Sequence, residues 1–501
     1  METKLAQLKS LLIEASNLEA AARLLAWDRN TYMPPGGGPA RGRQIATLRQ
    51  LAHEKWTDPQ VGRLLDDLGP YAESQPYESD EAGLVRVARR LYDRLCHVPS
   101  WFMADFYGHT SVTYEAWSQA RPENDFGRVL PYLKKTLDLS RQYSGYFSDQ
   151  EHVADPLIAL QDYGMKATTV RDLFAQLRQE LVPLVQTITA QPAADDACLR
   201  QGYPPREQLA FALEIVRQFG YDLERGRMDE TPHPFTTYFS IGDVRITTRV
   251  QEHDLSEALF STMHESGHAM YEQGICQDYE GTPLARGTSS GMHESQSRLW
   301  ENIVGRSRRF WEGTYPRLQA TFSQQLGDVS LDTFHRAVNR VSRSLIRTDA
   351  DEVTYNLHVL LRFDLELDLL EGTLTLADLP EAWRARMEAD LGIVPPDDRD
   401  GVLQDVHWYT DFIGGQFQGY TLGNIISGQI YAAALAAHPE IEDEMAQGAF
   451  GTLHGWLVEN VYRHGRKFTA DELITRVTGR PLSIEPYVRY LKTKYGALYE
   501  L

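Results

Sequence analysis

Two histidines four residues apart near the middle of the chain have the spacing of metal ligands. His264 and His268 lie in the segment Met-His-Glu-Ser-Gly-His-Ala-Met-Tyr, and Glu265 follows the first of them. On an α-helix this spacing places both imidazoles on one face, where they can bind one zinc ion while Glu265 acts on the attacking water. Zinc with an open coordination position lowers the pKa of bound water to about 7 and polarises a carbonyl. The motif therefore predicts peptide-bond hydrolysis; the alternative is a solvated helix face that binds nothing.

The residues around this motif predict the helix that must carry it. No proline lies between residues 255 and 273, Asp254 and Glu257 have the spacing of a capping box, and Gly274 stands where a helix would end. Gly267 within the motif costs about 1 kcal/mol of helix propensity relative to alanine. Because it has no side chain, we expect another segment to pack closely against the helix there.

A third protein ligand is predicted to come from a second helix. Glu294 lies 26 residues after His268, in the segment Gly-Met-His-Glu-Ser-Gln-Ser-Arg-Leu-Trp-Glu-Asn. A carboxylate from a following helix is a usual completion of a catalytic zinc site with two histidines. We favour Glu294 because His293 would point about 100° away on the same helix, and Glu301 lies two turns further on. The alternative is that Glu294 forms a solvated salt bridge.

Composition limits the classes of partner. The formal net charge of −20 argues against nucleic acid and against anionic membrane surfaces. Three widely spaced cysteines give no disulfide framework and no cysteine metal site. The N-terminal segment lacks the apolar stretch of a signal peptide, and no apolar run reaches the length of a membrane span. We therefore expect a cytoplasmic protein.

Most of the chain has helical periodicity. Apolar residues recur at spacings of three and four in residues 5–25, 83–95, 129–146, 169–188, 206–219 and 331–370. No repeat and no flexible linker is evident, so residues 1–501 are predicted to form a single catalytic domain. Residues 243–250 alternate with period two and predict a β-strand just before the zinc helix. That strand either has one solvated polar face or presents its edge to an extended peptide.

An ordered set of motifs carries a family resemblance. The chain resembles the Taq-type metallocarboxypeptidases, zinc exopeptidases within the H-E-x-x-H superfamily, over nearly its whole length. Besides residues 264–268, the motifs are His233-Pro-Phe235, the D-x-R-x-T of residues 243–247, His293 to Gln296, Ile346 to Asp351, and the G-x-x-Q-D-x-H-W of residues 401–408. The resemblance implies a mainly α, neurolysin-like fold, with a large two-lobed helical body, a deep groove and a small antiparallel sheet beside the zinc helix.

The resemblance also implies residues that bind the substrate. Arg347 is the leading anchor for a C-terminal carboxylate, because a guanidinium binds a carboxylate through two parallel hydrogen bonds. The competing interpretation pairs Arg347 with Asp351, one helical turn on. Arg245 offers a second cation, Gln404 is expected to bind the substrate main chain, and His233 is expected to line the groove.

His407 and Tyr420 are expected to stabilise the oxyanion of the tetrahedral intermediate. A departure from the family lies beside them. Where relatives have a segment resembling Gly-Tyr-Phe-Pro-Thr-Tyr, residues 415–420 read Gly-Gln-Phe-Gln-Gly-Tyr. We expect this loop to be more flexible and more polar than its counterparts.

The function implied is removal of single C-terminal amino acids from short peptides, with broad specificity. The resemblance implies one Zn2+ per chain, for which Co2+ or another divalent ion could substitute, and a homodimer. One alternative is a peptidyl-dipeptidase or oligoendopeptidase on the same scaffold. The other is a peptide-binding protein without enzymatic activity, whose structural zinc would need four protein ligands.

Overall fold

The computed structural model describes residues 1–501, which form 22 α-helices and one three-stranded sheet. The first part of the chain contains α1 (Glu2–Thr31), α2 (Gly38–Trp56), α3 (Pro59–Ser74), α4 (Asp80–His97), α5 (Ser100–Glu123), α6 (Phe126–Gly145), α7 (Asp155–Gln161), α8 (Ala167–Thr189) and α9 (Pro205–Phe219). The sheet consists of β1 (Met228–Glu230), β2 (Thr236–Ser240) and β3 (Asp243–Thr248).

The remaining helices follow the sheet. They are α10 (Leu255–Gln273), α11 (Ser290–Arg298), α12 (Arg308–Thr321), α13 (Ser323–Leu326), α14 (Leu331–Val338), α15 (Tyr355–Glu371), α16 (Leu379–Leu391), α17 (His407–Thr410), α18 (Gln418–Ala437), α19 (Ile441–Met445), α20 (Gly451–Asn460), α21 (Ala470–Thr478) and α22 (Glu485–Tyr499). None of them combines enough length with enough apolar character to span a bilayer. The predicted mainly helical class is confirmed.

The buried apolar residues form two clusters. The larger contains 99 residues and includes the cores of α10, α11, α15 and α18. The smaller contains 17 residues, mostly from α1, α3 and α4. Two separate clusters agree with the predicted two-lobed body, and the elements that carry the candidate site belong to the larger one.

The sheet differs from the prediction in its topology. Its strand order is β1-β3-β2, with β1 parallel and β2 antiparallel to β3. The sheet is therefore mixed instead of antiparallel. Because β3 is paired on both sides, residues 243–248 cannot present an edge to a peptide, and that interpretation is wrong. The free edge next to α10 belongs to β2.

The helix predicted for residues 255–273 has those bounds in the structure. Asp254 caps it by accepting from the main-chain N–H of Ser256 at 2.9 Å. The predicted capping box is not formed, because the Glu257 side chain pairs with Arg249 on the preceding segment. A glycine ends the helix at residue 274, as predicted.

Two other segments depart from expectation. The predicted helix 331–370 is two helices, because Asp351 accepts the N–H groups of Ser342, Val353 and Thr354 and so fixes a turn before α15. Residues 415–420 are not a polar loop. Phe417 is buried, and Gln418, the first residue of α18, is buried too and donates to Asp162 at 2.9 Å.

Candidate metal centre and active site

The three predicted metal ligands converge in the structure. His264 and His268 lie one turn apart on α10, and Glu294 reaches them from α11. The Glu294 Oε2 atom lies 3.8 Å from Nε2 of His264 and 3.5 Å from Nε2 of His268. Ligand atoms about 2.0–2.2 Å from a tetrahedral ion stand about 3.4 Å apart. The donor set therefore fits one divalent ion and leaves a fourth position open.

An arginine keeps the third ligand ionised despite its burial. Burial alone would raise the pKa of Glu294, but Arg298 and the two imidazoles outweigh this effect and hold the pKa well below its usual value. The Arg298 Nε atom donates to Oε1 of Glu294 at 2.7 Å, which leaves Oε2 directed at the histidines. At neutral pH this carboxylate is an anion, as a ligand of a dication must be.

A second carboxylate orients the first histidine. Nδ1 of His264 lies 2.9 Å from Oε2 of Glu301. Burial opposes ionisation of Glu301, but Arg298 and His264 hold its pKa at about 2. Glu301 stands in a π-helical turn, Leu299–Val304, that continues α11, and such turns are frequent at functional sites. A carboxylate in this position fixes the imidazole tautomer and keeps Nε2 free for a metal.

Glycines let the ligand-bearing helices approach one another. A Cβ atom at Gly267 would lie 2.5 Å from the carbonyl oxygen of Gln296 and 2.6 Å from Cα of Ser297. A Cβ atom at Gly423 of α18 would lie 2.5 Å from Cβ of Glu294. The expected close packing at Gly267 is therefore confirmed, and α11 is held between α10 and α18.

Glu265 lies beside the ligands and is restrained by the sheet. Its carboxylate Oε2 is 2.7 Å and its main-chain oxygen 2.8 Å from the hydroxyl of Thr236 on β2. Only 7% of Glu265 is exposed. Because Thr236 can donate only one proton, the carboxylate keeps acceptor capacity for a water molecule.

His407 and Tyr420 contact each other through a shared network. His407 Nε2 lies 3.2 Å from the Tyr420 hydroxyl, and His407 Nδ1 is hydrogen-bonded to Asp405. Burial raises the pKa of Tyr420, and the nearby Glu294 carboxylate adds to the effect, so the hydroxyl stays protonated. The structure therefore brings both predicted oxyanion donors together, on the side of the metal site formed by α18.

Arg347 does not pair with Asp351, so that interpretation is wrong. Its Nε donates to Asp405 at 2.7 Å and one terminal nitrogen donates to the Tyr355 hydroxyl at 2.9 Å. The other terminal nitrogen makes no hydrogen bond within the chain and is not fully buried. The guanidinium carbon lies 5.2 Å from the centre of the Tyr420 ring. Arg347 is thus fixed in orientation and keeps one donor group for a ligand.

The side-chain amide of Gln404 is fully hydrogen-bonded within the chain. Its amide oxygen accepts from the main-chain N–H of Arg347 at 3.0 Å and from Arg362 at 2.8 Å. Its amide nitrogen donates to the carbonyl oxygens of Leu345 and Asp400. The predicted contact with the substrate main chain is therefore not supported, and Gln404 positions Arg347 instead.

Arg245 faces away from the metal site. Thr236 and Ile246 are register partners on the sheet face that meets α10, whereas Arg245 lies on the opposite face. There its guanidinium pairs with both carboxylate oxygens of Asp243, each at 2.8 Å, and stacks on Trp27 of α1. The structure does not support Arg245 as a second cation for the substrate.

His233 remains a prediction. It lies between β1 and β2, is exposed, and its side chain makes no hydrogen bond, although its carbonyl oxygen accepts from Thr231 at 2.7 Å. Phe235, two residues on, is half-buried next to the β2 edge.

Three residues that reach the site from outside α10 and α11 had no assigned role in the sequence analysis. They are Asp405, Tyr355 and Thr236. Asp405 stands two residues before His407 in a motif already singled out, and that spacing could have indicated a pair. Tyr355 and Thr236 carry no comparable signal, because each reaches the site from an element distant in sequence.

Comparisons with known proteins agree with this geometry. The family model described as Carboxypeptidase Taq (M32) metallopeptidase matches residues 7–495. Thermostable carboxypeptidase 1 of Thermus thermophilus is 41% identical over 97% of each chain, and Carboxypeptidase 1 of Bacillus subtilis is 35% identical over 98% of each. The crystal structure of an M32 carboxypeptidase from Deinococcus radiodurans covers 100% of both chains with a TM-score of 0.96 and 49% identity.

Proposed function

Since this chain belongs to the Taq carboxypeptidase (M32) family of metallopeptidases, we propose that it releases single C-terminal amino acids from short peptides, with one zinc ion per chain. The observation that carries this proposal is that metal ligands and a carboxylate-binding group lie at one site. His264, His268 and Glu294 surround one ion position, and Arg347 presents a free cationic donor beside Tyr420 on the same side. That arrangement suits a peptide carbonyl followed by a terminal carboxylate.

Glu265 is proposed as the general base. A zinc ion bound by the three ligands would polarise the scissile carbonyl and lower the pKa of water to about 7. The Glu265 carboxylate takes a proton from the attacking water and delivers it to the leaving amine. The hydrogen bond from Thr236 sets the orientation of the carboxylate during both transfers.

Tyr420 and His407 are proposed to stabilise the oxyanion. The Tyr420 hydroxyl is a neutral donor, which now lies against His407 Nε2 and can turn to the developing charge. With its Nδ1 proton directed at Asp405, neutral His407 has no proton on Nε2 and donates there only as an imidazolium. Burial would raise the pKa of Asp405, but Arg347 and His407 hold it well below its usual value, so an ionised carboxylate faces Nδ1 of His407.

Arg347 is proposed to bind the terminal carboxylate of the substrate. The free edge of β2 is proposed to bind the substrate main chain. The main-chain N–H of Thr247 on β3 donates to the carbonyl of Phe235. Main-chain groups of successive residues in a strand point to opposite sides, so those of the next residue, Thr236, point toward the free edge of β2. Hydrogen bonds to a strand edge do not depend on side chains. This supports broad specificity.

The decisive experiment compares acetylated peptides that carry free and amidated C-termini. The purified chain, with stoichiometric zinc, should release single residues from the free peptide and leave the amide intact, with mass spectrometry showing a ladder of one-residue steps. Release of dipeptides would indicate a peptidyl-dipeptidase, and equal cleavage of both peptides would indicate an oligoendopeptidase. A metal-loaded chain without any hydrolysis would favour a binding protein.

We also propose a cytoplasmic homodimer, from family resemblance. The three cysteines, Cys96, Cys198 and Cys276, are all unpaired, which suits a reducing compartment. Light scattering coupled to size-exclusion chromatography would give the mass in solution, where a 57.0 kDa species would reject the dimer. Metal analysis of the protein as purified would show which divalent ion is bound.

A further inference from the structure

We propose that Glu272 and His293 are positioning residues for the second metal ligand, His268. His293 has no role in the assignments above, although it directly precedes the ligand Glu294. The proposal rests on metal binding at this site, which is part of the proposed function.

The three side chains form a continuous hydrogen-bonded chain. Nδ1 of His268 lies 3.0 Å from Nδ1 of His293, and Nε2 of His293 lies 2.6 Å from Oε1 of Glu272. The same Glu272 oxygen accepts from the main-chain N–H of Gly287 at 2.9 Å. Glu272 is 2% exposed. A buried carboxylate with these partners is fixed in place.

Proton accounting assigns every tautomer in this chain. Coordination of a metal through His268 Nε2 requires the His268 proton to be on Nδ1, where it is donated to His293. His293 accepts on Nδ1, so its own proton is on Nε2 and is donated to Glu272. The carboxylate therefore selects the tautomer of His293, and His293 selects that of His268.

The fold makes room for this arrangement. Glu272 follows His268 by one helical turn on α10, so both side chains lie on the same face. A Cβ atom at Gly287 would lie 2.5 Å from Cδ2 and 2.7 Å from Nε2 of the His293 ring. A residue larger than glycine at position 287 would therefore push the His293 ring out of line.

The two histidine ligands are supported differently. His264 donates directly to the Glu301 carboxylate, whereas a second imidazole stands between His268 and its carboxylate. Metal-binding histidines usually donate to a carboxylate, a main-chain carbonyl or water. His293 also belongs to the first turns of α11, and its contact with His268 therefore fixes the helix that carries Glu294.

The test measures metal affinity of the full chain by competition with a chelator, together with the visible spectrum of the cobalt-loaded protein. His293→Leu and Glu272→Ala should each weaken cobalt or zinc binding between about tenfold and a hundredfold. Because both residues act through the same series of hydrogen bonds, the double variant should bind metal no more weakly than the weaker-binding of the two single variants. His293→Asn, whose amide oxygen can still accept from His268, should remain within a few-fold of wild type.

The control is His109→Gln, a change at a buried histidine of α5 that is hydrogen-bonded to Thr136 of α6. It should leave metal affinity and the cobalt spectrum unchanged. Wild-type affinity and spectrum in folded His293→Leu would overturn the proposal, as would additive losses in the double variant. If His293→Leu does not fold, a Glu272→Ala variant with wild-type affinity overturns it equally. A wild-type chain that binds no metal would instead reject the proposed function.

Discussion

A single methyl group at Gly267 is predicted to move a metal ligand that is remote from it in sequence. In Gly267→Ala the added Cβ would start 2.6 Å from Cα of Ser297, whereas ordinary contact begins at 3.4 Å. The atoms it meets belong to the backbone of α11, so no side-chain rotation relieves the overlap. The helix must move by about 0.8 Å, while metal–ligand distances tolerate about 0.2 Å. Glu294, one turn earlier on α11, should therefore lose its position.

The expected result is a loss of metal affinity that exceeds the loss of stability. Alanine gains about 1 kcal/mol of helix propensity over glycine, and overpacking costs about 1–3 kcal/mol. The free energy of unfolding should therefore fall by no more than about 2 kcal/mol. Metal affinity should fall at least tenfold, because even the loss of an outer hydrogen-bonding partner costs about 10–100-fold.

Chelator competition and urea unfolding of the metal-free chain would measure the two effects separately. The matched control is Gly108→Ala on the exposed face of α5, where nothing lies within 4 Å of the added Cβ. It should bind metal like the wild type and gain up to about 1 kcal/mol in stability. A Gly267→Ala chain with wild-type metal affinity would refute the idea that this contact positions Glu294.

Other perturbations test the rest of the site. Glu265→Gln should keep its contact with Thr236 and its metal content but lose hydrolysis; substantial activity would reject the general-base role. Arg347→Met should raise KM for peptides with a free C-terminus about 10–100-fold, since a charge-assisted hydrogen bond contributes about 1.5–3 kcal/mol, and an unchanged KM would reject the anchor. Dialysis against a chelator should abolish activity and lower the melting temperature, with recovery on adding zinc; activity that survives complete metal removal would contradict the mechanism. Burial raises the pKa of Glu366 to about 8, so the folded state retains a proton that the unfolded state releases near its ordinary pKa of 4.5. Stability should fall as pH rises from about 5 to 8, by about 1.4 kcal/mol per unit of pKa difference. Glu366→Gln should remove this fall, as measured by urea unfolding at both pH values, and an unchanged slope would show that another group is responsible.

The local parts of the site could be predicted from the sequence. The four-residue spacing of His264 and His268 gives one helix face wherever the helix lies, and the caps and the absence of proline set its bounds. Glu294 was also chosen from local geometry, as a carboxylate on a following helix whose neighbour His293 points elsewhere, and the structure places it against the two histidines. These inferences depend on helical geometry.

Hydrogen-bond partners at long range could not be predicted in this way. Gln404 and Arg347 were both expected to bind substrate. Arg347 keeps a free donor, but the Gln404 amide is already hydrogen-bonded to Arg362 and Leu345, which are distant in sequence. Arg245 is excluded from the site by the register of β2 and β3, which decides the face on which it lies.

The departure at residues 415–420 shows the same limit. Two glutamines and a glycine, in place of a tyrosine, a proline and a threonine, indicated a more flexible and more polar loop. In the structure Gly419 and Gly423 instead allow α18 to pack on α11, and Gln418 is paired with a buried aspartate. The chain by itself determined which residues share a helix face, because that is set by a period of 3.6 residues. Only the tertiary structure decided which side chain meets which, because those contacts join elements whose packing no local pattern encodes.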